Sequence, residues 1–310
     1  MSNVTTTTQV SDAVGVWYNP TLLDVAIPKL LANQFGQMKS IPKGSSKKIR
    51  WGRFEELDEA TTPLSEGIEP DGQQLTVTRM DAECSQYGDL TILTDVVELT
   101  VSDPVANEAT KRLGEQMGRT LDTLTYDVLV ATGTIYNAAF GVNGETPTEL
   151  TQQDIDEVVE DLMNADAKMF SDVVKAGSGF GTAPLDESYY AISNTAVFKD
   201  LKAVDSWVPI NQYPNPANRK LGERGYTDNL RWCLSSKAPV TAGVYDWYVM
   251  GQDAYGVVDI STGNAEMIFT PPGGPGDRLR QRSSLGWKAW HTAKILNDNY
   301  LVRGRCTLSA

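Results

Sequence analysis

DPVANEATKRLGEQMGRTLDTLTYDVLVATG, residues 103–133, carries the strongest helical period in the chain. Ala106, Ala109, Leu113, Met117, Leu121, Leu124, Val128 and Ala131 recur at spacings of three and four, the period of one apolar helix face. Asp103 is a good N-cap, Pro104 suits the first helical position, and Gly133 supplies the stop. The spacing predicts a helix from Pro104 to Thr132, about 43 Å long at 1.5 Å per residue. Gly114 and Gly118, each costing about 0.5–1 kcal/mol relative to Ala, admit a bend or a close neighbour. A helix of that length is a spine on which other elements rest.

Upstream, Leu90 to Val101 reads as a strand, and before it lies the most unusual local feature. Lys47 to Phe54 and Leu75 to Met80 alternate with the period of two that marks a strand with one dry face, and together they predict a hairpin. Between them about twenty residues hold Glu55, Glu56, Asp58, Glu59, Glu66, Glu69 and Asp71 with no Lys or Arg. Loops beyond about 12–15 residues are uncommon inside compact domains and tend to be functional. The stem is basic and the tip acidic, so the tip of one copy could sit on a basic surface of another; a solvated acidic loop is the alternative. In the first forty residues, Asn19 and Pro20 cap a segment with Leu22, Leu23, Ala26, Ile27, Leu30 and Leu31 at helical spacing. It reads either as a helix folded onto its own domain or as an arm reaching a neighbour.

Downstream, Thr151 caps a helix with Ile155, Val158, Leu162, Ala165 and Met169 on its dry side. Tyr189 to Ile192 reads as a strand, Thr195 to Val204 as a short helix, and Val244 to Met250 and Tyr255 to Ile260 as strands. Pro209, Pro214 and Pro216 mark an extended loop, and Pro271 to Gly276 a turn. From Arg278 onward the chain is basic: Arg278, Arg280, Arg282, Lys288, Lys294, Arg303 and Arg305 face only Asp298.

Composition excludes whole classes of function. Twenty-seven Lys plus Arg against forty Asp plus Glu leave a net charge of -13, which disfavours a protein that grips nucleic acid, because that affinity comes from cations displacing counterions. With 41% hydrophobic and 22% charged residues the chain has a real core and is neither disordered nor fibrous. Cys84, Cys233 and Cys306 are an odd number, widely spaced, which argues for a reducing site of synthesis. No window approaches the ~20 apolar residues of a membrane span, and Met1 to Ser11 lacks the pattern of a secretory signal.

Catalytic and ligand motifs are weak. His291 is the single histidine, so a hydrolase triad would have to use it and a His-rich metal site is impossible. Gly177 to Gly181 is glycine-rich, but Thr182-Ala183-Pro184 follows where a nucleotide loop needs a helix. Asp154 and Asp156 fall in the first turn of a helix, where they complement its dipole. The carboxylates of residues 55–71 lack a calcium-loop pattern. No cofactor, metal or catalytic residue is assigned.

The order of parts, together with Ala60 to Gly67, Gln86-Tyr87-Gly88, Thr94-Asp95, Leu113-Gly114 to Asp122 and Leu279 to Ala289, resembles the HK-97 fold of tailed-phage major capsid proteins, and within it the N-four-like podophage branch. The resemblance implies an α+β HK-97-like capsid fold: an N-terminal arm (1–40), an E-loop hairpin (41–87), a peripheral domain with the long spine helix (88–143), an axial domain (144–272) and a C-terminal return to the peripheral domain (273–310). It implies self-assembly into pentamers and hexamers of an icosahedral phage head around double-stranded DNA, made in the bacterial host cytoplasm and residing in the virion. The partners implied are further copies of the chain, a scaffolding protein, a portal and a possible decoration protein, with no membrane. The N-terminus has no long scaffolding-like segment, which favours a separate scaffolding protein over proteolytic maturation. A cellular compartment shell of encapsulin type, or a small-oligomer hydrolase, are the alternatives. For the inter-subunit contact the candidates are Arg50, Trp51, Arg53, Phe54, Glu55, Glu56, Asp58, Glu59, Leu64 and Glu66 on the hairpin and Arg278, Arg280, Arg282 and Lys288 on the basic segment, with Trp51, Phe54 and Leu64 as dry anchors.

Overall fold

The computed structural model describes residues 16–17, 30–41, 47–55, 57–61, 63, 72–95, 105–171, 184–214, 219–259, 264–273 and 279–309. Asp103, Pro104, the Asn19–Ile27 segment, Gly177–Gly181, Glu56, Leu64, Glu66 and Arg278 lie outside those residues.

The spine helix α1 runs from Val105 to Val130, about 39 Å. It ends in tightened turns, Ala131 N to Val128 O and Thr132 N to Leu129 O, which satisfy carbonyls left over at the helix end. Its two halves serve two cores. Leu113, Met117 and Leu121 pack with Leu93, Met267, Leu285 and Trp287. One to two turns on, Tyr126 and Leu129 join Tyr190, Ile192, Tyr248 and Met250.

The first core belongs to a four-stranded antiparallel sheet in the order β1 (Val16–Trp17), β14 (Ala265–Thr270), β15 (Arg282–His291), β5 (Ser85–Thr94). On β15 the odd-numbered residues from Ser283 to His291 are buried and the even ones are not, the alternation of a sheet covered on one face. The expected strand at Leu90–Val101 thus begins five residues earlier and is described only to Thr94, Val96–Val101 lying outside the described residues.

The second core belongs to a larger sheet in the order β6 (Ile135–Asn137), β17 (Leu301–Cys306), β12 (Val244–Met250), β7 (Tyr189–Asn194), β10 (Leu230–Ser235), β9 (Glu223–Thr227), β8 (Val208–Pro209), with β11 (Val240–Thr241) paired to β12. Helix α2 (Gln152–Asn164) covers it with Ile155, Val158 and Leu162 and is capped by Thr151, as the spacing predicts; it stops before Ala165 and Met169. A short 3-10 turn and α3 (Phe198–Leu201) follow β7. The β9–β10 hairpin has no counterpart in the sequence reading. Leu230 to Leu234 is buried throughout, Arg231 included, so a strand covered on both faces shows no alternation. Its two-residue turn uses Asp228 and Asn229 at φ 24° and 63°, a conformation that short polar residues tolerate.

Arg303 on β17 ties the parts together. It donates to Asp246 Oδ2 at 2.7 Å and 3.1 Å and to the Val130 carbonyl at the end of α1 at 3.0 Å. Asp246 is buried, with Arg305 Nε at 3.9 Å.

The expected hairpin is present as β3 (Lys48–Phe54) and β4 (Val77–Glu83), antiparallel with Trp51 opposite Met80 and Phe54 opposite Val77. Its base rests on a three-stranded sheet, β16 (Ala293–Ile295), β13 (Tyr255–Val258), β2 (Gln37–Lys39), through Ile49, Trp51, Cys84, Val258 and Leu296. The Trp51 indole lies flat on Gly256, where an added Cβ would stand 2.5 Å from the ring.

Candidate assembly surface

Trp51, expected as a dry anchor for a neighbour, is only 3% exposed and is used inside its own chain. Phe54, two pleats farther out, is 64% exposed, and Leu57, Leu75 and Val77 surround the same end of the hairpin in water. The arms stay joined beyond the last strand pair: Glu55 N donates to Thr76 O at 2.9 Å and Gln73 Nε2 to Asp58 O at 2.8 Å. Among the described residues the far part of the hairpin therefore presents exposed apolar side chains next to Asp58 and Glu59.

The basic stem is neutralised at home. Arg50 forks onto Asp81, directly opposite it, at 2.6 Å and 2.8 Å, and Arg53 reaches Glu55 at 3.2 Å. The Arg50 guanidinium holds the Asp81 carboxyl below its usual range, and the Thr78 hydroxyl and then Arg53 do the same for Glu55. Asp58 and Glu59 form no ion pair among the described residues. Asp58 and Glu59 thus keep their charge, while Arg50 and Arg53 of the stem are held by carboxylates of the same hairpin.

The basic C-terminal segment divides likewise. Arg303 serves the buried Asp246, and Lys288 pairs with Glu266 at 3.1 Å. Arg280 is exposed beside Leu279, which is 78% exposed. Arg282 opens β15 opposite Thr94. Alternation puts Arg282, Ser284, Gly286 and Lys288 on the face of the sheet turned away from α1, and register puts Leu90 and Ile92 beside Gly286 and Ser284 on that face. Leu90 is 61% and Ile92 56% exposed. Two of the expected cations thus flank an apolar shelf of Leu90 and Ile92, residues that sequence reasoning did not select. Their apolar alternation with Thr91 reads as a dry face, yet the buried side of β5 is the one carrying Leu93.

Among the described residues, His291, Asp154 and the three cysteines all lie in packed interiors. His291 is buried, its Nε2 lies 3.1 Å from Thr125 Oγ1, and burial lowers its pKa to about 4, so the ring is a neutral packed group. Asp154 is not a surface charge at a helix start but a buried acceptor: it forms a capping box with Thr151 and binds three further donors. All three cysteines are buried and unpaired, with burial raising their pKa values, Cys306 to about 12. No metal-ligating cluster occurs among the described residues. No described helix is long and apolar enough to cross a membrane.

Similar proteins agree with the fold. The chain resembles the capsid of Ralstonia phage GP4 (TM-score 0.61, 12% identity, 89% of this chain and 88% of that chain). It resembles the head structure of Helicobacter pylori bacteriophage KHP40 (0.60, 12%, 100% and 98%) and the capsid of cyanophage P-SCSP1u (0.59, 13%, 89% and 87%). Among curated proteins nothing matches. The family of phage capsid proteins matches residues 81–304, a span that includes α1, the shelf on β5 and β15, and nearly all of the large sheet. By that match, on an α+β fold that phage heads share, this chain belongs to the phage capsid protein family.

Proposed function

We propose that the chain is the major capsid protein of an icosahedral phage head, and that the hairpin of one copy docks on the β5–β15 shelf of the next. Complementarity carries this reading: an apolar projection, Phe54, Leu57 and Leu75, with the carboxylates of Asp58 and Glu59, and an apolar shelf of Leu90 and Ile92 with Arg282 at one end, Lys288 at the other end being held by Glu266. Exposed surface ion pairs contribute about 0–1 kcal/mol, so burial of Phe54 against Leu90 and Ile92 supplies most of the affinity and charge sets the register.

Residues 41–87 then act as the E-loop, 88–143 as the peripheral domain with its spine, 144–272 as the axial domain and 1–40 as the arm. The β14–β15 hairpin straddles the 272/273 boundary, and β17 carries the last residues back into the large sheet. Copies join as pentamers and hexamers around double-stranded DNA, with scaffolding protein and portal as assembly partners and decoration proteins as later additions. Synthesis takes place in the host cytoplasm. The work is mechanical, with no catalytic step, since permanent shells sum interfaces of about 2,000–5,000 Å² per pair.

The test is charge reversal of Glu55, Glu56, Asp58 and Glu59 to Lys, with particles imaged by electron microscopy. Loss of shells or reduced heat and salt resistance is expected; normal shells of unchanged resistance would sink the docking mode.

A further inference from the structure

The chain between β6 and α2 turns back on itself and holds two apolar side chains in water, Phe140 at 66% and Val142 at 60% exposure. Phe140 has φ 58° and Gly141 φ 84°. A bulky residue in the left-handed region is uncommon and persists only where the surroundings fix it.

Asp154 does the fixing. Its Oδ1 accepts from the amides of Ala139 at 3.0 Å and Gly141 at 2.8 Å and from the Tyr136 hydroxyl at 3.2 Å, while Oδ2 takes the amide and hydroxyl of Thr151. β6 is an edge strand, but Asn143 already occupies it, donating to Ile135 O and accepting from Asn137 N. What the surface offers is a rigid apolar knob and not a strand edge. No Lys or Arg occurs from Thr134 to Ala167, and Glu145, Asp156 and Glu157 are exposed beside the knob in sequence.

We propose that this knob inserts into a groove on a second copy, between α1 and the turn that follows β10. The groove comprises two adjoining hollows of about 370 and 350 Å³ whose apolar lining includes Leu124 in the first and Leu31, Leu221 and Leu234 in the second; Arg119 and Lys237 line both, and the largely buried carboxyl of Asp122 borders the second. Neither cation forms an ion pair among the described residues. A convex apolar group in an acidic field thus meets a concave apolar one flanked by two unpaired cations. Pinned to α2 beside the β6 edge of the large sheet, the knob lies four strands away from β10, whose end borders the groove of its own chain. A contact between two different patches is head-to-tail, and such contacts close rings when the rotation permits. This inference rests on the shell reading and assigns the knob and groove to closure of the capsomer ring.

The test places one cysteine on each side of the contact, Val142→Cys and Thr123→Cys, in the full chain, and treats assembled particles with a short bis-maleimide. The native cysteines are buried and give little background. The doubly substituted chain is expected to give a ladder of covalent multimers up to the ring size, with neither single variant doing so. Phe140→Asp is expected to lower particle yield about tenfold or more at unchanged subunit circular dichroism. Intact particles without a ladder overturn the contact and leave the shell reading standing. Position 123 captured by a different protein, or Phe140→Asp particles at normal yield, also overturn it. Failure of the unsubstituted chain to form any particle overturns the shell reading itself.

Discussion

Asp122 Oδ1 accepts the backbone amide of Ala32 at 2.7 Å, so a carboxyl buried in the middle of the spine helix holds the 3-10 turn Ala32–Phe35 against it. Burial, the largest influence, raises its pKa from 3.8 to about 7, against the lowering effect of the amides of Ala32 and Leu31. Tyr126 on the same helix and Tyr255 on β13 are its buried ionisable neighbours, and both stay neutral because burial raises them; Arg119 and Lys237 line the hollow that Asp122 borders. An acid whose folded pKa is raised gives stability that is complete below the unfolded pKa and is lost as pH rises through the folded one. Asp122→Asn keeps the acceptor and removes the titration. Relative to the parent, the Asn variant is expected to gain stability from about pH 4 to about pH 7, by up to about 4 kcal/mol, and to hold that gain above pH 7. Parallel unfolding curves across that range would contradict the assignment.

His291, linked to the same helix through Thr125, has the opposite sign. Its pKa is lowered by burial from 6.5 to about 4, so its contribution is present above pH 6.5 and is lost as pH falls toward 4. Between those values the two slopes offset each other in the parent. His291→Gln should therefore show stability that falls as pH rises from 4 to 7, and Asp122→Asn stability that rises from 4 to 6.5. Denaturant midpoints measured at half-unit pH steps check both.

Asp246 and Arg303 form the buried ion pair that ties β12 and β17 to the end of α1. Asp246→Ala strands a guanidinium that is 13% exposed and is expected to cost about 3–5 kcal/mol, read as a shift in urea midpoint. Arg303→Met with Asp246→Leu should recover most of that loss, because replacing both partners removes the stranded charge.

Leu90→Ser with Ile92→Ser tests the shelf. Exposed substitutions alter stability by about 0.5 kcal/mol or less, so the subunit should unfold at nearly its usual temperature while particle yield collapses. Full yield on sucrose gradients would remove the shelf from the interface.

The charge of -13 makes a further prediction. On the proposed shell reading a wall of this composition would enclose DNA without gripping it, so purified subunits should bind duplex DNA weakly and with little salt dependence. Tight, salt-sensitive binding would contradict the shell reading's account of the interior.

Periodicity alone determined the long helix, the β3–β4 hairpin and the Thr151-capped α2, because each has one dry face; β7 and β12 read as strands although both of their faces are largely buried. The apolar helix repeat at Leu113, Met117 and Leu121 and the strand alternation at Ile49 and Trp51 are local signals, and the cores confirm both. Tertiary structure decided what local signals cannot carry. It hid the β9–β10 hairpin, whose Leu230 to Leu234 is covered on both faces. It turned Trp51 inward onto Gly256 and Leu90 and Ile92 outward, since which side of a strand is dry depends on what packs against it. It spent Arg50, Lys288 and Arg303 on partners distant in sequence, so counting charges along the chain overstated the basic patch. Sequence determined the spine helix, the β3–β4 hairpin, α2 and the sign of the charge; only packing decided which side chains remained exposed for a neighbouring copy, because exposure is a property of the assembled surface and not of the residue.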